Sequence, residues 1–399
     1  MGEKCVWGGS APRSVFDENA VKAGCLDGVL GGQDPPCAGP HPDVLLTHIK
    51  PLRVVVASYS VTAAIPLAGF VNSHSHAFQR ALRGRAAGTD FWTWRDGMLE
   101  EADRATPDSV RDHYTDVYLE MRAAGYTAVG EFHYLGAAEA VAAAEAAAAA
   151  GIAIVLLHVA YERGGLDRMR QPSVAAYLEE VESLRAAGIA VGVAPHSVRA
   201  CSREWLAEIG AYAIREQLPL HIHADEQPRE IQECLEEHGC RPIELLADTG
   251  CLGERTTIIH ATHANDDELD LLAATGSRIC ACPTTESDLG DGFLRVTEVI
   301  DRSIPLCIGS DSNMRIDPLE ELRELEGIAR RQTGRRGVLT TAQLLAIGSA
   351  EGARALGLEE WAAIEIDTDH RSLTGVAAEH VEAALIAGCT ADVVLSRGA

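Results

Sequence analysis

The chain has 399 residues, of which 47% are hydrophobic and 23% charged, a composition typical of a soluble globular protein. Its formal net charge of −25 argues against nucleic acid and anionic membranes as partners, because both are polyanions. No apolar run reaches the roughly 18 residues of a membrane helix, and the N-terminus lacks the basic and apolar regions of a secretory signal. We therefore expect a cytoplasmic protein whose 11 scattered cysteines stay reduced.

Short apolar runs alternate with amphipathic, helix-like stretches through the middle of the chain. In order, the runs are LAGFVNSHSH near residue 70, TAVGEFHY near 130, IAIVLLHVAY near 155, IAVGVAPHS near 192, LPLHIHADE near 222, TTIIHATHA near 260, RICACPTTE near 282 and IPLCIGSD near 308. Eight such units over roughly 250 residues predict an α/β fold, a (β/α)8 TIM barrel. A doubly wound dinucleotide-binding sheet would need a Gly-rich turn after its first strand, and the sequence has none there.

The two flanks of the predicted barrel differ from its repeating units. We place the barrel at residues 67–352. Strand-like strings occur before it, in LRVVVASYSV, and after it, in AAIEIDTD and ADVVLSRG. We expect residues 1–66 and 353–399 to form the N- and C-terminal parts of a small β-domain.

Polar residues follow the apolar runs in nearly every unit, as HSH, EFHY, PHS, HADE, HATH and SD. The catalytic groups of a TIM barrel lie at the C-terminal ends of its strands. We therefore expect these polar ends to meet at one mouth of the barrel.

Four of these strand-end residues have the chemistry of a metal site. His74 and His76 alternate on one strand and so face the same side, while His223 ends the fifth strand and Asp311 the eighth. Three imidazoles and a carboxylate, with room for a water, suit a catalytic Zn²⁺. His221 competes for the role of His223, but it lies further from the strand end, and we expect it to be a hydrogen-bonded interior histidine.

The lysines limit the number of metal ions. All three, Lys4, Lys22 and Lys50, precede the first barrel strand. A two-metal centre bridged by a carbamylated lysine inside the barrel is thereby excluded, and we expect one Zn²⁺ per chain.

Three residues near the predicted metal can move protons. Glu226 follows His223 by three positions, and a carboxyl group beside a metal-bound water is a natural proton shuttle. His260 ends the sixth strand and can polarise or deprotonate the same water. Asp311 can help to accept the proton of the metal-bound water. That water can lose a proton near neutral pH, since zinc lowers its pKa to about 7.

Several strings resemble a known family. FVNSHSH, HIHADE, IIHATH and GSDSN, in that order, resemble the mononuclear deaminase branch of the amidohydrolase superfamily, over roughly Leu67 to Gly352. HSHAFQR, FWTWRD, AGYTAVGEFHY, APHSVRA and CPTTESDLGDG are more similar still to the N-formimidoyl-L-glutamate deiminases of histidine breakdown. The first 66 residues and the shortened C-terminal strands depart from that family's pattern.

The resemblance implies hydrolysis of N-formimidoyl-L-glutamate to N-formyl-L-glutamate and ammonia, in a homodimer. The roles that it implies are zinc binding by His74, His76, His223 and Asp311, proton transfer by Glu226, His260 and Asp311, and substrate binding by Gln79, Arg95, Tyr134, His196 and Arg199. Two arginines suit the two carboxylates of this substrate and supply positive charge locally. Cleavage of the other C–N bond would give formamide and glutamate, and the residues alone leave that choice open.

Two other functions compete with this one. A deaminase for a purine or pyrimidine would use aromatic stacking and amide groups in its pocket rather than two arginines. A barrel that only binds a ligand is the second alternative, although proteins that lose activity usually lose a ligand residue, and here all are present.

Overall fold

The computed structural model describes residues 64–85, 88 and 90–395, so that the strand-like string LRVVVASYSV lies outside the described residues. The strands are β1 (Ala64–Ala68), β2 (Phe70–Ser75), β3 (Tyr126–His133), β4 (Ala153–Ala160), β5 (Val191–Pro195), β6 (Leu220–Ala224), β7 (Thr256–His260), β8 (Arg278–Ala281), β9 (Leu306–Ile308) and β10 (Ala363–Asp367). Strands β2 to β9 form one parallel sheet in sequence order. All eight predicted barrel strands are confirmed, and the fold is a TIM barrel.

Helices connect the strands and cover the outside of the barrel. They are α1 (Phe91–Asp103), α2 (Pro107–Ala123), α3 (Ala137–Ala150), α4 (Val174–Ala186), α5 (Arg203–Glu216), α6 (Pro228–His238), α7 (Pro242–Asp248), α8 (Asp266–Thr275), α9 (Pro283–Leu289), α10 (Val296–Asp301), α11 (Pro318–Thr333), α12 (Thr341–Ile347), α13 (Ala350–Ala355) and α14 (Val381–Gly388). Short 3-10 helices occupy Ala77–Leu82, Asp167–Met169, Arg371–Leu373, Ala378–His380 and Ala391–Val393. Many of the α-helices begin at a polar residue whose side chain caps them, as Asn265 does by accepting from the N–H of Glu268 at 2.9 Å.

The barrel closes between its first and last strands. The N–H of His76 donates to the carbonyl of Asp311 at 2.8 Å, and the N–H of Asp311 donates to the carbonyl of His74 at 3.0 Å. Gly309 permits this approach, because a Cβ atom there would lie 2.7 Å from the carbonyl oxygen of His74. Closure therefore brings the predicted metal ligands of the first and eighth barrel strands side by side.

Within the described part of the chain, the helices are either too short or too polar to cross a membrane.

The flanking segments meet in a two-stranded sheet outside the barrel. Strands β1 and β10 pair antiparallel, from Ala64 opposite Asp367 to Ala68 opposite Ala363. The predicted strand in AAIEIDTD is thus confirmed, and the sheet is formed by the N- and C-terminal flanks as expected. The boundaries at residues 67 and 352 remain predictions.

The end of the chain is less β-like than predicted. The prediction of a strand over ADVVLSRG is wrong for Ala391–Val393, which form a 3-10 turn. Within the described part of this string, residues 391–395, only Val394 makes a bridge, to Ile366. The N–H of Ala391 donates to the side chain of Asp317 at 2.9 Å, so this backbone is held by α11 rather than by a strand. Helix α14 also packs on α11, so most of this tail is helical.

Candidate active site

The four predicted metal ligands lie together at the C-terminal mouth of the barrel. Single donor atoms of His74, His76, His223 and Asp311 all fall within 4.8 Å of one another, and all four side chains are buried. Asp311 Oδ1 lies 3.3 Å from the Nε2 atoms of both His74 and His76, and the Nε2 atoms of His74 and His223 are 3.1 Å apart. By contrast, His221 Nε2 contacts the carbonyl of Ala355 at 2.9 Å, outside this group.

Hydrogen bonds to backbone carbonyls set the orientation of two of these imidazoles. His76 Nδ1 lies 3.1 Å from the carbonyl of Phe132, and His223 Nδ1 lies 3.1 Å from that of His196. Because only a protonated ring nitrogen can donate to a carbonyl, each Nε2 carries a lone pair aimed at the centre of the group.

The charge states of the four groups also favour a cation. Burial lowers the pKa of His76 to about 3 and holds the pKa values of His74 and His223 below the usual range, so the three imidazoles are neutral. Burial opposes ionisation of Asp311, but the hydrogen bond to His74 and the positive charge of His260 outweigh it and hold the pKa of Asp311 below its usual range. Neutral imidazoles with an ionised carboxylate are the forms that bind a metal.

The spacing of the donors fits zinc. A tetrahedron with bonds of about 2.0–2.1 Å has edges of about 3.3–3.4 Å. Three of the six separations, one of 3.1 Å and two of 3.3 Å, match those edges, and the other pairs of donors lie within 4.8 Å. Two Nε2 atoms that face each other at 3.1 Å would repel if both carried lone pairs, and a shared cation removes that repulsion.

A buried hydrogen-bond network supports the strands that carry the ligands. Ser310 donates through its backbone N–H to Asn72 at 3.0 Å, and its hydroxyl donates to Asn313 at 2.5 Å. Asn313 donates to the Ser75 hydroxyl at 3.1 Å, which donates to Glu131 at 2.9 Å. This network links β2, β3 and the segment after β9, which together supply His74, His76 and Asp311.

The backbone is strained where the strands end in the site. His260, Asp311 and Asp225 have φ values of +74°, +45° and +55°, in the left-handed region that non-glycine residues seldom adopt. Such strain costs about 1–3 kcal/mol per residue and is found mostly at functional sites.

The predicted proton-transfer residues surround one side of the ligand group. His260 Nε2 lies 3.8 Å from both Glu226 Oε1 and Asp311 Oδ2, and His260 Nδ1 lies 3.3 Å from Glu286 Oε1. Burial alone would lower the pKa of His260, but the carboxylates of Glu226 and Glu286 outweigh it and raise that pKa well above its usual value. Burial raises the pKa of Glu226 to about 7, which suits a group that gains and loses a proton near neutral pH.

Further carboxylates make this side of the site acidic. Glu286 and Asp291 are both buried, and within the described residues Glu286 Oε2 and Asp291 Oδ2 have no hydrogen-bond partner. Burial, followed by the proximity of Glu226, raises the pKa of Asp291 to about 9. The surroundings of His260 thus hold more acidic groups than basic ones.

The predicted substrate-binding residues line the same cavity, which is open to solvent. Gln79 Nε2 donates to the Tyr134 hydroxyl at 3.0 Å, and the Tyr134 hydroxyl donates to Met98 Sδ at 3.4 Å. Burial, then the charge of Arg199, holds the pKa of His196 well below its usual range, so its ring is neutral. Gln79, Tyr134 and His196 therefore offer neutral hydrogen-bonding groups to a ligand.

Arginines also line the cavity. Arg95 projects from α1, whereas Arg199 follows β5 and places its Nε 3.6 Å from Glu230 Oε1. Arg163, which the sequence did not single out, also lines the cavity and forms an ion pair with Glu237 at 2.6 Å. All five predicted substrate-binding residues are brought together here.

Other lining residues were missed at the level of sequence. Trp94 and Met98 come from α1, and Tyr161 follows β4, with its ring centre 4.6 Å from that of His196. Tyr161 ends the run IAIVLLHVAY, so the rule that polar strand ends meet would have identified it. Trp94 and Met98 lie on a helix with no such signal.

Comparisons with known proteins agree with the geometry. The model of the amidohydrolase family matches residues 65–366. Over 350 residues the chain is 35% identical to the formimidoylglutamate deiminase of Pseudomonas aeruginosa, covering 79% of this chain and 77% of that protein. It is 28% identical to a 5-methylthioadenosine/S-adenosylhomocysteine deaminase of Haloarcula marismortui, covering 76% and 73%.

A solved structure shares the fold. A zinc-bound adenosine deaminase from Xanthomonas campestris superposes with a TM-score of 0.76, at 24% identity, over 83% of this chain and 78% of that one. At this identity the likeness concerns the fold alone.

Proposed function

Because the chain belongs to the amidohydrolase family, we propose that it hydrolyses N-formimidoyl-L-glutamate to N-formyl-L-glutamate and ammonia, a step of histidine degradation. The observation that carries this proposal is that acidic and basic groups line one cavity. Carboxylates surround His260, and Arg95, Arg163 and Arg199 line the same cavity.

The charges of the proposed substrate are complementary to these acidic and basic groups. Its formimidoyl head is an amidine, which is cationic near neutral pH, and its glutamate part carries two carboxylates. The carboxylates of Glu226 and Asp311 fit the amidine. Arg95 and Arg199 fit the two carboxylates of the substrate, which arginine can bind through two parallel hydrogen bonds. Such a pocket also explains how a protein with a net charge of −25 accepts an acid.

The metal in this proposal is one zinc ion held by His74, His76, His223 and Asp311. When bound, zinc would polarise the reacting group and lower the pKa of the attacking water to about 7. This chain's residues hold the donors in place through the carbonyls of Phe132 and His196 and the Ser75–Glu131 network.

Glu226 is placed to move the proton. It takes a proton from the water that attacks the formimidoyl carbon and delivers it to the nitrogen that departs as ammonia. The pKa of Glu226, about 7, permits both halves of this transfer. The imidazole of His260, held on Glu286 and 3.8 Å from Glu226, orients the attacking water.

A second candidate is deamination of an adenosine-like substrate. It is favoured by the aromatic rings of Trp94, Tyr134 and Tyr161 along the cavity, which can stack on a purine, and by the similarity to the Haloarcula deaminase. The cavity arginines Arg95 and Arg199 have no evident use with a neutral nucleoside, so we place this function second.

The deciding experiment measures ammonia release from N-formimidoyl-L-glutamate, 5-methylthioadenosine, adenosine and simple amidines by the zinc-loaded protein. We expect turnover of N-formimidoyl-L-glutamate with N-formylglutamate as co-product. Faster turnover of a nucleoside, or release of formamide and glutamate, would contradict the proposal.

A further inference from the structure

The carboxylate of Asp311 faces two different groups of donors. Oδ1 lies 3.3 Å from the Nε2 atoms of His74 and His76, whereas Oδ2 lies 3.8 Å from Nε2 of His260. A carboxylate whose two oxygens face separate imidazoles can bridge two cations, which in two-metal sites lie about 3.5–4 Å apart.

A thiol completes the second group. Donor atoms of His260, Cys282 and Asp311 all lie within 4.8 Å of one another, and all three residues are buried. Glu286 contacts the two residues of this group that are not ligands in the first site, Cys282 and His260. Its Oε1 accepts from the backbone N–H of Cys282 at 2.8 Å and lies 3.3 Å from His260 Nδ1. That contact leaves His260 Nε2 as the free donor.

We propose that His260, Cys282 and Asp311 form a second cation site, which takes a thiophilic divalent ion, Cd²⁺ or Zn²⁺ in excess, beside the first metal. Sulfur, imidazole nitrogen and carboxylate oxygen together are a donor set that zinc and cadmium prefer over harder cations. On binding, bonds to the metal replace the S–H bond of Cys282 and the Nε2–H bond of the protonated His260, and both protons leave to solvent.

The surrounding charge favours a second cation. Glu226 Oε1 lies 3.8 Å from His260 Nε2 and can supply a fourth donor. The buried oxygens Glu286 Oε2 and Asp291 Oδ2 have no hydrogen-bond partner among the described residues. A second positive charge can therefore be compensated by these buried carboxyl groups, which release any bound proton as the cation binds, without the bridging lysine that the barrel lacks.

Occupation of this site inhibits the enzyme. It takes up His260 and the second oxygen of Asp311, both of which the proposed reaction uses. The inhibition rests on the proposed function, whereas the binding of the ion does not, so binding is the primary measurement.

The test adds Cd²⁺ to the zinc-loaded protein and follows thiolate-to-metal charge-transfer absorption, then measures zinc and cadmium after desalting. The first site contains no sulfur, but the chain has ten other cysteines, so the absorption is assigned to the second site by its loss in Cys282→Ser. We expect the absorption to saturate at one added equivalent with the zinc retained. Cys282→Ser should lose both the absorption and the second equivalent but keep the first metal, while Cys201→Ser, another buried free cysteine, should bind as the wild type does.

Three results would overturn the site: no charge-transfer absorption, replacement of the zinc without added binding, or absorption that persists in Cys282→Ser. Cadmium NMR of the wild-type protein gives an answer that needs no variant. A resonance shifted by one thiolate ligand supports the site, and its absence at two equivalents of total metal contradicts it. Failure to release ammonia from N-formimidoyl-L-glutamate would reject the proposed function and leave these outcomes unchanged.

Discussion

Replacing Arg199 by methionine tests whether this arginine binds a carboxylate of the proposed substrate. The Arg199 side chain lines the cavity and lies beside Glu230, which is only 1% exposed. The substitution therefore removes a partner for a substrate carboxylate and also leaves a buried carboxylate without its cation. These two effects must be separated.

The loss of stability and the loss of substrate binding differ in magnitude. Loss of one partner of a buried ion pair costs about 3–5 kcal/mol of stability. This cost is an upper bound here, because burial already raises the pKa of Glu230 and the carboxyl group can protonate. Loss of a charged hydrogen-bonding partner of the substrate costs about 3 kcal/mol in kcat/KM, or about 100-fold.

A double variant distinguishes stability from recognition. In Arg199→Met with Glu230→Gln the buried charge is absent, so thermal unfolding should return towards the wild-type midpoint. We expect kcat/KM for N-formimidoyl-L-glutamate, measured by ammonia release, to remain about 100-fold low. A folded double variant within about threefold of the wild type would refute carboxylate binding by Arg199 and favour a neutral substrate.

Four further predictions concern the metal and the proton shuttle. Removal of metal by a chelator should abolish ammonia release and Zn²⁺ should restore it; activity that survives complete removal would contradict a metal-dependent reaction. Glu226→Gln should lower kcat by about 10²–10⁴-fold with zinc content unchanged. It should also remove an acidic limb of the kcat/KM profile, centred at or below pH 7 because the reaction begins with Glu226 ionised and a bound cation lowers its pKa of about 7. Gly309→Ala should lose zinc because the new Cβ meets His74 at 2.7 Å, whereas Gly388→Ala, with open space around it, should keep zinc; equal zinc contents would contradict this packing argument. Asn313→Asp loses the donor to Ser75 and should weaken zinc binding about 10-fold in chelator competition, and unchanged affinity would show that the network does not position the ligands.

The barrel and the group of predicted metal ligands could be predicted from local sequence patterns. Each strand is buried on both faces, so it appears as a continuous apolar run, and each run ends in the polar residues that reach the mouth. The parallel fold then requires those ends to meet, and for this reason His74, His223 and Asp311 could be grouped although they lie far apart in the chain.

The tail of the chain shows where local pattern fails. The string ADVV has the composition of a strand, but a strand needs a neighbour with free backbone groups. The side chain of Asp317 takes the N–H of Ala391 instead, and the segment turns. A partner 74 residues away decided its conformation.

Only the tertiary structure decided what surrounds the metal ligands. Glu286 and Cys282 belong to a string that the family resemblance covers, yet their contact with His260 depends on how β7 and β8 are placed side by side. The acidic and basic groups that line the cavity likewise come from several strand ends and from α1. The local sequence determines which residue types stand at the strand ends and can bind zinc. The distances between their donor atoms, and the charges that surround them, arise from contacts between distant segments and are set when the barrel closes.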